Sequence, residues 1–439
     1  MLIRMAVAMQ VVRDQRGVDD GHVPGLAERP LPDGTGSLDG RDALAYAQRL
    51  ADDLWRRSCR GEDGGALWIA AQGHSLTIGP VGPDLYGGST GIALLFAAVA
   101  ATGGREQDRA AALAALVPVR AALSDGLIGA LVGHKVGAGS GIGSVAYGLA
   151  RVAGLLDRPD LLDDACRAAA LIGDRAVADD ERLDVVDGSA GALLALLALA
   201  EVSGDADGSL RSRADRCGRH LLARRRPCRS SGARVWSAGG EPVTGLSHGA
   251  AGIAYALARL AGATGSTEFL DAAAEAVAWE NEVLIGGVGT WRRMAVAGHD
   301  HSRPINSWCH GAAGIGLARL AGLPVLKGPA IDGDIDAAVA AVLGGGLAEV
   351  DHPCCGTLGR AELLLNAGQG LTRPDLVGEA RRIGAALVAA ADSEGGFQHY
   401  PSLPRSVFNP GFWQGSAGIG YMLLRLARPE RLPSVLVWE

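Results

Sequence analysis

The sequence predicts an all-α protein built as an inner ring of helices within an outer ring. Three observations predict it. A glycine-rich turn recurs along the chain, each copy is followed by a helix-length apolar run, and a charged amphipathic segment separates successive copies. The turns are Gly88-Ser-Thr-Gly91, a degenerate Ala138-Gly-Ser-Gly141, Gly188-Ser-Ala-Gly191, Gly249-Ala-Ala-Gly252, Gly311-Ala-Ala-Gly314, Gly356-Thr-Leu-Gly359 and Gly415-Ser-Ala-Gly418, at intervals of 45 to 62 residues.

Each element follows from its pattern. Residues 1–38 are rich in Gly, Pro and Asp without periodicity, so they are expected to form a mobile N-terminal tail ahead of a ring domain at 39–439. The runs at 92–101, 192–200 and 253–260 are apolar all round and must be buried. The segments at 105–123, 160–176 and 267–283 carry a single apolar stripe and cover the first set from outside. Strand signals are scarce. The paired glycines let each inner helix begin close to its neighbours, with its first N–H groups free and aimed at one end of the barrel. Chemistry is expected at that end.

Composition narrows the function. Of 439 residues, 48% are hydrophobic and 65 are Gly, and the net charge is −7, which excludes general disorder and a nucleic-acid binder. Seven scattered cysteines argue for a reducing compartment over a disulfide scaffold. The apolar start at residues 1–12 lacks a small-residue cleavage site, and the charge-free stretch 85–104 opens with Gly, Ser and Thr. A soluble, cytoplasmic protein without membrane partners is expected.

Four turns carry metal-ligand or acid–base side chains beside their glycines: Asp184-Val-Val-Asp187-Gly188, Ser247-His248-Gly249, Trp308-Cys309-His310-Gly311 and Pro353-Cys354-Cys355-Gly356. In a ring of equivalent turns these groups converge on one mouth. Three thiols there suit zinc with a fourth position left open, which is the catalytic pattern of that metal. His310 is open to three roles: fourth ligand, acid–base group or packing residue. The loop His299-Asp300-His301 reads as a polar loop, and Cys59, Cys166, Cys217 and Cys228 as structural.

These motifs resemble the lanthionine synthetase C-like cyclases over about residues 40–439. The pieces that carry the resemblance are Ser-His-Gly at 247–249, Trp-Cys-His-Gly at 308–311, Cys-Cys-Gly at 354–356 and the glycine turns. Asp84-Leu-Tyr-Gly-Gly, the stretch 307–319 and the ending from Gln414 look closer to the C-terminal cyclase half of class II lanthipeptide synthetases. The resemblance implies an α/α toroid of seven inner and seven outer helices with one Zn2+ at its mouth. It implies Cys309, Cys354 and Cys355 as ligands, His248 as the acid–base group and Asp184 as its partner, with Asp187 the nearest rival. Where many relatives have His, this chain has Cys355, as in the subgroup reported as more reactive and substrate-tolerant. The implied reaction adds a peptide Cys thiol to dehydroalanine or dehydrobutyrine in the same peptide.

The implied partners are a dehydrated precursor peptide with its leader and a separate dehydratase, since no kinase or lyase signature is visible in this sequence. Two other readings keep the same motifs: addition of a free thiol such as glutathione to dehydro-residues, and a non-catalytic peptide- or partner-binding scaffold. Nine arginines fall between 211 and 234 on an otherwise acidic chain. Arg224, Arg225 and Arg226 among them are candidates for an electrostatic dock for an acidic leader; the alternative is a solvated outer face.

Overall fold

A computed structural model describes residues 28–439 apart from 33, 73–76, 229–230, 238–241, 286–289, 292–305 and 402. Most of the tail assigned to 1–38, the two histidines of the 299–301 loop and Arg229 lie outside the described residues. Seven inner helices span Ser89–Gly103, Ile142–Leu156, Ser189–Ser203, Ala250–Thr264, Ala312–Gly322, Thr357–Gly370 and Ser416–Ala427. Each packs against the next and the last against the first, so the ring is closed. Outside them run Gly40–Arg56, Glu106–Ser124, Pro159–Ala170, Ser209–Ala223, Thr267–Glu282, Pro329–Leu343 and Pro374–Glu394. Each outer helix follows and covers its inner partner, except that Gly40–Arg56 covers the last inner helix and joins the two ends of the chain. This is the predicted all-α double ring, an α/α toroid.

Burial follows the pattern that predicted it. Ser189 through Ala200 are buried on every face, whereas Gly40–Arg56 buries only Ala43, Ala47, Ala51 and Leu54, one stripe at helical spacing. The segment expected as one helix over 160–176 is two, because Gly173 adopts extended backbone and starts a short helix at Asp174–Ala178. Among the described residues, four two-stranded hairpins fall between the end of an outer helix and the turn opening the next inner helix, two of them ahead of Gly88. The end of the assigned tail is also tied down. Arg29 exchanges backbone hydrogen bonds with Leu347, its guanidinium meets Asp351 at 2.5 Å, and Leu38 is buried.

The glycine turns have a specific physical cause. A Cβ on Gly91, Gly191, Gly252, Gly314, Gly359 or Gly418 would stand 1.6 to 2.2 Å from the carbonyl oxygen six residues earlier. Each turn folds back over the start of its own helix. It therefore consumes the helix N–H groups: those of Ser89, Ala190, Ala250, Gly314, Thr357 and Ser416 donate to carbonyls seven residues before them. The expectation that these N–H groups point free into the mouth is overturned, since the turn caps them.

The second turn also corrects the sequence reading. Its helix starts after Gly141, and Ser144 occupies the place that glycine takes elsewhere, donating to the Gly141 carbonyl at 2.6 Å. The repeat there is shifted by three residues from Ala138-Gly-Ser-Gly141.

Candidate metal and acid–base centre

The seven turns are joined edge to edge by backbone. Tyr86, Gly139, Val186, Ser247, Cys309, Cys354 and Trp413, each two residues before its helix-capping glycine, form a closed circuit. Each donates its N–H to the carbonyl of the next at 2.9 to 3.3 Å, and Trp413 returns to Tyr86. Residues far apart in sequence are thereby fixed at equivalent places around one mouth. Two of the three motif thiols, Cys309 and Cys354, lie on this circuit, and Cys355 follows directly.

Their sulfurs gather as the sequence suggests. Cys309 Sγ lies 3.2 Å from Cys355 Sγ, Cys354 Sγ lies 3.5 Å from Cys355 Sγ, and all three fall within 4.8 Å of one another. A tetrahedral zinc with Zn–S near 2.3 Å holds its thiolates about 3.8 Å apart, so the spacing fits that ion. Cys309 and Cys354 are 8% and 4% exposed, while Cys355 is half-buried toward the mouth. The thiols share charge as a unit. Hydrogen bonds from Cys354 and Cys355 hold Cys309 well below the usual thiol range, and the same contacts push Cys354 up.

The neighbouring turns supply the acid–base pair. His248 Nδ1 meets Asp184 Oδ2 at 2.8 Å, and Asp184 Oδ1 accepts the Asp187 N–H at 2.7 Å. Asp187, the rival partner, is taken instead by Lys135 at 3.0 Å, Arg182 at 3.1 Å and the Ser140 hydroxyl. The His248 side chain is 46% exposed at the mouth. Burial pulls its pKa down, but the Asp184 hydrogen bond and charge outweigh it and the net shift is upward. His310 is buried with its ring 6.2 Å from that of His248 and its Nδ1 3.5 Å from the Thr244 carbonyl, outside the three-thiol cluster.

Several supporting residues escaped the sequence reading. Glu280, fully buried on an outer helix, accepts the N–H groups of Gly245 and Ala251 and pairs with Arg319 at 2.8 Å, which braces the His248 turn. Asp180 accepts from Ser189 N and Leu183 N and braces the Asp184 turn in the same way. Glu280 meets its turn from the following outer helix, 29 to 35 residues away, whereas Asp180 lies just ahead of the turn it braces. The space inside the ring is filled by the segment 432–439, whose carbonyls accept from Tyr147, Tyr255, Tyr421, Arg259 and Trp308.

The arginine cluster is mostly spent on structure. Arg211 pairs with Asp205, Arg216 with Asp174, Arg219 with Asp215, and Arg224 reaches Glu181 only at 3.9 Å. Arg225 and Arg234 share Glu275, which fastens the 226–235 hairpin to the helix Thr267–Glu282. Arg226 is exposed on that hairpin.

The fold is thus a closed α/α double ring whose mouth gathers three thiols that could hold a metal ion beside a carboxylate–imidazole pair. The sequence model of the lanthionine synthetase C-like proteins matches residues 79–437, and the chain belongs to that family. Solved structures of similar fold include nisin cyclase, 17% identical with a TM-score of 0.60, covering 91% of this chain and 97% of that one. More distant are the unsaturated glucuronyl hydrolase of Bacillus sp. GL1 (17% identical, TM-score 0.47, 89% and 97% covered) and an α-mannanase of Bacteroides thetaiotaomicron (10%, 0.49, 89% and 96%). At these identities the likeness is one of fold. A comparison with curated proteins finds no match. No helix among the described residues is long and apolar enough to cross a membrane.

Proposed function

We propose that the protein is a zinc-dependent lanthipeptide cyclase that closes (methyl)lanthionine rings by Michael-type addition. One observation carries the reading: a buried three-thiol cluster and the Asp184–His248 pair stand on neighbouring turns of one mouth. Family membership supports it, and nisin cyclase is by its name a peptide-ring-forming relative in fold. Cys309, Cys354 and Cys355 would hold the ion as thiolates and leave a fourth position open. When bound, zinc lowers the pKa of a substrate thiol so that thiolate is present near neutral pH.

The remaining work falls to the chain's own residues. The substrate sulfur bonds to the alkene β-carbon, and the electron pair moves to an enolate that takes a proton at the α-carbon. His248 donates that proton from Nε2, because Nδ1 is engaged by Asp184. Asp184 orients the ring and stabilises its charged form. The mouth brings thiol and alkene together, which converts a bimolecular encounter into a local one. His310 borders the pair as a secondary acid–base candidate. The substrate is a dehydrated precursor peptide with its leader, dehydration being the work of a separate protein, and the setting is the cytoplasm. The exposed Arg226 and its neighbour Arg224 offer the leader a weak, salt-sensitive dock, with Arg225 serving the hairpin.

The test is a dehydrated cysteine-containing peptide incubated with the zinc-loaded protein, then alkylated and weighed. Cyclisation leaves the mass unchanged and removes the alkylatable thiol. Mass gain with added glutathione would overturn the reading in favour of thiol conjugation. Peptide bound but unchanged would overturn it in favour of a scaffold.

A further inference from the structure

Tyr86, in the first turn, takes no part in the chemistry above, yet it reaches the thiol cluster. Its hydroxyl lies 3.2 Å from Cys354 Sγ, across the seventh turn. We propose that Tyr86 is a positioning residue for the thiol centre: its O–H donates to the Cys354 sulfur, fixing that sulfur's rotamer and lowering its electron donation to a bound metal. The inference rests on the three-thiol metal reading.

The direction of the bond follows from the groups. A phenol keeps its proton at neutral pH, with an unperturbed pKa of about 10, while a metal-bound thiolate offers only lone pairs. The three sulfurs are not alike in this respect. Ser307 Oγ stands 3.3 Å from Cys309 Sγ, but it donates to the His310 carbonyl at 2.8 Å, so its proton is directed elsewhere. Cys354 therefore receives an O–H donor of a kind that Cys309 does not receive from Ser307. A hydrogen bond of this type withdraws density from a ligand and tunes the metal.

The placement of Tyr86 is over-determined. Its carbonyl accepts from Phe412 N at 3.0 Å and Trp413 N at 2.9 Å, and its own N–H donates to Gly139 O at 2.9 Å. Its ring lies flat on Trp413, with centroids 5.6 Å apart and planes 5° from parallel. Trp413 stacks in turn on Trp438 at 5.8 Å, and the Trp438 indole is pinned to the Ala138 carbonyl at 3.1 Å. The 432–439 segment thus supports the thiol centre from inside the ring through a column of aromatic rings.

The test uses the full chain loaded with cobalt(II), and separately with zinc. The parent should show a thiolate-to-cobalt charge-transfer band. Tyr86→Phe keeps the ring on Trp413 and removes only the hydroxyl. It should move that band to longer wavelength, because the sulfur regains donor strength, and release zinc to a competing chelator about tenfold more readily, because that sulfur's rotamer is no longer fixed. Trp413→Phe, which keeps the hydroxyl but shrinks its platform, should shift the band the same way by less. A Tyr86→Phe protein with the parent's band and the parent's zinc retention would overturn the proposal. A parent that takes up neither metal would instead overturn the metal reading beneath it.

Discussion

A methyl group at Gly314 is the most informative perturbation of the turn circuit. It would stand 1.9 Å from the Trp308 carbonyl oxygen and 3.0 Å from Leu246 Cβ on the preceding turn. Both neighbours are hemmed in, so the oxygen must retreat by more than an ångström to reach ordinary contact. The next residue is Cys309, whose N–H donates to Cys354 and whose carbonyl accepts from Ser247 N and Oγ. Displacement therefore spreads into the thiol cluster and the His248 turn together. Overpacking of this kind costs about 1–3 kcal/mol, and an ångström of misplacement at a reacting centre costs on the order of a hundredfold in rate.

Gly154 is the matched control. It lies exposed in the inner helix Ile142–Leu156, and a Cβ there meets nothing within 4 Å. Gly154→Ala should gain up to about 1 kcal/mol from helix propensity alone. The assay is the urea midpoint at unchanged slope, with metal per chain and ring-closure rate measured on the same samples. Gly314→Ala should lose midpoint, metal and rate together. A Gly314→Ala protein with the parent midpoint and metal content would refute the claim that the turns are packed backbone to backbone.

Three further outcomes are expected. His248→Ala and Asp184→Asn should keep zinc but slow ring closure, checked by metal analysis beside single-turnover kinetics; metal loss as complete as in Cys309→Ala would exchange their roles. The His248 pKa is raised by Asp184, and a proton donor works below its pKa, so the rate should fall as pH climbs through it. Asp184→Asn removes the upward push and should move that alkaline limb to lower pH in a pH–rate profile, whereas an unmoved limb would point to another donor. Changing Arg224, Arg225 and Arg226 to Gln should weaken capture of a full-length precursor at low salt and spare a leaderless dehydrated peptide; equal effects on both would return the hairpin to a structural role.

What was legible in the sequence was whatever is local. Gly-x-x-Gly followed by an all-apolar run is a short-range signal, and it located the inner helices and the turns that bear Cys309, Cys354, Cys355, His248 and Asp184. The choice of Asp184 over Asp187 rested on the family resemblance alone, because both sit on one turn and only the ring sets which faces His248; it is Asp184 that meets His248. The second turn was misread because Gly137, Gly139 and Gly141 offer more than one register. Glu280, Arg319 and Tyr86 act on turns that are distant in sequence, so nothing near them marks their roles. The arginines at 211–234 looked like a field of free charge, but acidic partners such as Asp174 and Glu275 come from other helices.

The most direct test of the account compares the parent with a Cys354→Ala, Cys355→Ala double variant on one dehydrated peptide, scoring metal per chain, product mass and remaining alkylatable thiol. The parent should hold one zinc and convert the peptide at constant mass with loss of free thiol. The double variant should hold none, leave the thiol intact and keep its helical circular dichroism. Full zinc occupancy and continued ring closure in the double variant would contradict the account.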